Sequence, residues 1–169
     1  LEEHGPAQVR QLALELAAPL PFSSGHGGLA IHALLQLVGV SAEIRTWSSR
    51  YPGFNVQNLE DIAWNIGTHV RGVHWLTFLG QPVLGELGGL SGLRTHLSSP
   101  DISVQEMEDA RALVTLGPWP EAGDTQQGQN LPLYREWARV LEPWLYQALP
   151  DRDLIASEER RHWERRFLD

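Results

Sequence analysis

Three runs within residues 50–80 decide the fold: Arg50-Tyr51-Pro52-Gly53-Phe54, Ala63-Trp64-Asn65 and Gly72-Val73-His74-Trp75-Leu76-Thr77-Phe78-Leu79-Gly80. Turn residues bracket two tryptophan clusters. The stretch Val73–Leu79 is rich in β-formers and predicts a central strand, with Trp75 in the core. Trp64 sits in a similar apolar setting and is predicted buried as well. Pro52-Gly53 stops whatever precedes it, because the residue before a proline is biased away from helix. No catalytic spacing lies anywhere in these runs.

Working outward, Ser41–Arg50 reads as a short helix ending at Pro52-Gly53. Gly25-His26-Gly27-Gly28 reads as a tight turn feeding a buried strand, Leu29-Ala30-Ile31. Val9, Leu12, Ala13 and Leu16 share one face of a helix over Gln8–Ala18, closed by Pro19 and Pro21. On the other side, Asn58-Leu59-Glu60-Asp61 marks a helix start. Val83–Leu87 is a short helix closed by Gly88-Gly89. Ile102–Glu106 and Ala112–Leu116 form a hairpin around Glu108-Asp109. Residues 118–130 are a polar loop. Leu133–Leu141 and Ser157–Phe167 are the clearest helices, the second with Ser157 as N-cap and its Trp163/Phe167 face docked. Its arginines are expected to point outward or pair with acids. Strands and helices do not alternate regularly. The predicted class is therefore α+β, a single mixed domain with a central antiparallel or mixed sheet flanked by helices.

The chain has 169 residues, 42% of them hydrophobic, with seven tryptophans, enough for one domain with a real core. It has no cysteine, which removes disulfides and thiol chemistry and suits a reducing cytosol. No apolar run approaches the length of a membrane span. The net charge of −8 is uneven. Between residues 101 and 130, Asp101, Glu106, Glu108, Asp109, Glu121 and Asp124 face Arg111 alone, a net −5. Such a block repels phosphate backbones and suits a basic protein surface.

The chain resembles the bacterial type VI secretion immunity proteins associated with VRR-Nuc-type nuclease effectors. The runs quoted above carry the resemblance, together with three later segments. These are Ala122-Gly123-Asp124 after Gly117-Pro118, then Leu133-Tyr134-Arg135-Glu136-Trp137-Ala138-Arg139-Val140-Leu141-Glu142-Pro143, and the ending Glu158-Glu159 with Trp163-Glu164-Arg165-Arg166-Phe167. It covers residues 20–169. It implies a cytoplasmic protein that binds a cognate effector toxin, plausibly a PD-(D/E)xK-like nuclease, and covers its active site or DNA groove. It also implies a further strand-rich N-terminal region, with residues 1–20 as its tail and 21–169 as the immunity domain. That missing region is then a second expected partner. Neither nucleic acid nor membrane is an expected ligand, and no cofactor is expected.

The expected contact residues are the acidic block, Asp101, Glu106, Glu108, Asp109, Glu121 and Asp124, with Trp119 as an aromatic anchor. Core packing is the commoner fate of a tryptophan, and a solvated loop is an equally good account of the charge. Two alternatives stay open: a hydrolase-like enzyme built on Ser23, Ser24 and His26, and a structural subunit of a larger assembly. The first lacks a nucleophile elbow and a recognisable orienting acid. Gly25–Gly28 lacks the basic ending of a phosphate loop. No histidine pair has helix-borne zinc spacing, and Glu158 with His162 reads better as a surface ion pair than as metal ligands.

Overall fold

The computed structural model describes residues 5–31, 40–56, 65–147 and 161–169, without the side chains at 40–42 and 45. Helix α1 spans Pro6–Ala17, strand β1 Ser24–Gly27, helix α2 Val40–Arg50 and strand β2 Leu76–Leu79. Helices α3 (Val83–Glu86) and α4 (Gly89–His96) follow, then strands β3 (Ile102–Met107) and β4 (Arg111–Leu116). Helix α5 covers Pro132–Leu141, flanked by 3-10 turns at Thr125–Gln127 and Glu142–Trp144. The four strands form one antiparallel sheet in the order β1-β2-β4-β3. This is the expected α+β arrangement.

Every residue of β2 and β4 is buried, so the two central strands are covered on both faces. On one face Trp137 of α5 donates its indole N–H to Thr77 Oγ1, 3.0 Å away. Tyr134, Ala138 and Leu141 of the same helix are buried beside it. On the other face α1 leans its Ala13, Leu14 and Ala17 side on the core. Arg10 donates to Thr115 Oγ1 and to Gln105 Oε1, tying α1 to β4 and β3. Arg111 is buried and spreads its guanidinium over the carbonyls of Ala17, Ala18 and Leu20. A cation at the carbonyl end of a helix meets the negative pole of its dipole. The outer side of α1 exposes Val9, Leu12 and Leu16 beside its polar residues, and Leu20 is exposed just past its end.

The predicted hairpin is present, and Trp75 is buried with its indole N–H on the Gly117 carbonyl at 3.2 Å. Three expectations are corrected. The first strand is Ser24–Gly27 itself, while Leu29–Ile31 contributes one isolated bridge, Ala30 to Asn55. Gly25 and Gly27 face Phe78 and Leu76, where a Cβ would already stand 3.4 Å from those side chains. The glycines therefore build the strand instead of a turn before it, as an edge strand tolerates. Gly88-Gly89 closes α3 and also opens α4, a helix absent from the sequence reading. Arg166 points inward to the carbonyls of Pro52 and Trp163, because regular helix ends by residue 164 and turns follow. Phe167 docks as expected, buried against Tyr134 at 5.4 Å between ring centroids. Trp64, the helix start at 58–61, and Ser157 lie outside the described residues.

Candidate partner-binding surface

The β3–β4 hairpin distributes the acidic block between its two ends. At the tip, Glu106, Glu108 and Asp109 are all exposed around a turn in which Asp109 and Ala110 adopt positive φ of 58° and 53°. Arg111 Nε donates to the Glu108 carbonyl, and its guanidinium reaches the Asp109 carboxylate at 3.4 Å. That carboxylate is still 87% exposed. The Arg111 charge is thus turned toward α1 and offsets little of the tip. At the other end, Asp101 is exposed just before β3, and its carbonyl accepts from the Gly117 N–H. Trp119, 62% exposed, and exposed Glu121 follow from β4. The two ends lie about 17 Å apart, one strand of six residues.

Asp124 differs. It is 5% exposed and accepts from Arg50 Nε and Nη2, the latter at 2.7 Å, and from Gln126 N and Gln127 Nε2. The hydrogen bonds from Arg50 are the main reason its carboxyl stays below the usual range. Gly53 N donates to the Ala122 carbonyl, and any Cβ on Gly53 would strike the Glu121 carbonyl. Pro52-Gly53 and Ala122-Gly123-Asp124, two segments that carry the resemblance, are therefore one joint. It fixes the loop that presents Glu121. Tyr134 Oη accepts from Glu121 N at 3.2 Å and steadies the same point. Burial pushes the Tyr134 phenol up to about 12, so it stays protonated.

Ser24 Oγ donates to the His69 carbonyl at 2.9 Å, and neither Ser23 nor Ser24 bonds to His26. The His26 ring stacks on His74 with centroids 4.2 Å apart. Burial first, and then Arg71, lowers His26 to about 4. Burial also holds His74 well below its ordinary value, helped by His26, Arg166 and Arg71. Burial lowers Arg71, and lowers Arg166 to about 9. The sequence reading missed this buried basic cluster. Its members come from β1, the segment before β2 and the C-terminus, so no local spacing announces it. Among the described residues no group of three or more His, Cys, Asp and Glu is placed to hold a metal. No helix there is long and apolar enough to cross a membrane.

No curated protein matches the chain. Among solved structures, the Pseudomonas aeruginosa T6SS protein PA0821 superposes with a TM-score of 0.78 at 20% identity. The match covers 98% of this chain and 50% of that one, so the chain spans half the length of that structure. At this identity the likeness speaks for the fold alone. The family described as type VI immunity for VRR-NUC matches residues 1–167. Since that match takes in nearly the whole sequence, the chain belongs to the TsiV family of type VI immunity proteins for VRR-NUC.

Proposed function

We propose that the chain neutralises a VRR-NUC-type effector by binding it, with the ends of the β3–β4 hairpin set against the effector's active site or DNA groove. The observation that carries this reading is the set of exposed carboxylates at Asp101, Glu106, Glu108 and Asp109 on the β3–β4 hairpin and Glu121 in the loop after it, with exposed Trp119 between. A groove built to hold phosphates is basic, and acidic side chains compete for it directly. Such inhibition is steric and electrostatic and needs no chemistry from the inhibitor. Asp124, already engaged by Arg50, acts by holding the loop in shape. The encounter belongs in the cytoplasm, where a nuclease meets its DNA. The apolar side of α1 supports a second contact, with a further region of the same protein.

The test is co-expression with a VRR-NUC effector encoded beside it. Growth is expected to be rescued and a complex recovered from the rescued cells. Cells that die at the same rate with and without the protein, and yield no complex, would sink the reading.

A further inference from the structure

Between β1, the segment leading into β2, and the C-terminal residues lies a set of nitrogens with nothing to bind. Arg71 is 8% exposed; its Nη2 donates to Asn55 Oδ1 at 3.3 Å, while Nε and Nη1 have no partner. His74 is 4% exposed, stacked on His26, and its Nε2 has no partner. Trp163 Nε1 is buried and unbonded too, under the Arg166 guanidinium 3.5 Å above its ring. Among the described residues these four are all the buried side-chain polar atoms left over, and each is a nitrogen. Three are obligate donors, and the imidazole nitrogen donates in one tautomer. The deficit is one-sided: what is missing is an acceptor.

The missing acceptor also has a sign. Arg71 has a neutral hydrogen-bond partner in Asn55, and its field reaches His26, His74 and Arg166. Glu164 acts on Arg166. A buried guanidinium is rarely left without a carboxylate or phosphate. A water accepts two hydrogen bonds but brings no charge.

We propose that this cluster is a binding site for one small oxyanion, a phosphate or a carboxylate, gripped by Arg71 Nε and Nη1 and flanked by His74 Nε2 and Trp163 Nε1. The side-by-side nitrogens of a guanidinium fit two oxygens of such a group. The neutral imidazole and the indole donate without adding charge, and Arg166 supplies the remaining positive field. Neither the acidic hairpin nor the effector is involved, so the site stands or falls apart from the immunity reading.

Thermal melting of the whole chain in inorganic phosphate or in formate, against chloride at matched ionic strength, tests it. Either oxyanion is expected to raise Tm by about 5 °C at a hundredfold excess over its Kd. The rise should vanish in Arg71→Gln. That variant, freed of an unpaired buried charge, should melt no lower than the parent without anion. A generic salting effect would raise both proteins equally and overturn the proposal, as would no rise beyond chloride. If Arg71→Gln fails to fold, the parent labelled with 15N-arginine decides. Phosphate or formate should then move one side-chain Nε–H signal at saturable concentrations, and unmoved arginine signals would sink the site.

Discussion

Trp75 holds the centre of the sheet by two means, apolar burial and an indole N–H spent on the Gly117 carbonyl. Replacing it with alanine empties the largest side chain in the run that decides the fold. A loss of about 3–5 kcal/mol is expected, enough to leave little soluble protein. A Trp75→Ala variant that melts like the parent but no longer binds effector would make this residue a contact instead. His26 and His74 carry a pH signature. Their folded values lie below the ordinary 6.5, His26 at about 4. The unfolded chain therefore takes up protons first as pH falls. Their contribution is intact above about 6.5 and is lost progressively from there toward 4, on the order of 3 kcal/mol for His26 alone. Arg71 acts on both rings and Arg166 on His74, and both guanidiniums keep their charge across that window. A Tm that stays flat between pH 7 and pH 4.5 would contradict this. Burial of Trp75 was legible because its neighbours are apolar. The histidine stack was not, since it exists only once β1 has found its place beside β2.

The hairpin was the most legible element, because everything that makes it is local: two runs of strand formers and a polar turn between them. Helix α5 was legible for the same reason, in the spacing of Tyr134, Trp137, Ala138 and Leu141. Elements whose residues answer to distant neighbours were misread. Gly92 of α4 sits where a Cβ would strike the Leu87 carbonyl, and the glycines of β1 lie in the strand that pairs with Phe78 and Leu76. The glycines of β1 read as a turn because their strand is defined by its pairing with β2, about 50 residues away in the chain. The acidic block was legible as charge but not as shape, since Asp124 turned inward to Arg50 while Glu106, Glu108 and Asp109 stayed out. Neutralising that tip as Glu106→Gln, Glu108→Gln and Asp109→Asn should slow association with the effector about tenfold at low salt and flatten its salt dependence. Dissociation should change less. Stopped-flow rates that match the parent at low salt would put the interface elsewhere.

At the scale of the molecule, the sheet has one face closed by α5 and the other by α1, whose outer side carries Leu12 and Leu16 at 55% and 62% exposure. An apolar stripe of this kind associates when nothing covers it. Leu12→Glu with Leu16→Glu should reduce concentration-dependent self-association in sedimentation and leave Tm nearly unchanged, because neither side chain fills the core. Equal sedimentation of parent and variant would show that the stripe is inert. The order β1-β2-β4-β3 also implies a history for each molecule. Met107 meets Arg111 across one tight turn, whereas Ser24 must find Leu79 across the whole stretch of chain between Gly27 and Leu76. Closing the longer loop costs more entropy and comes later. The newly made protein thus spends its first moments with an acidic hairpin already formed and its basic interior still open to water.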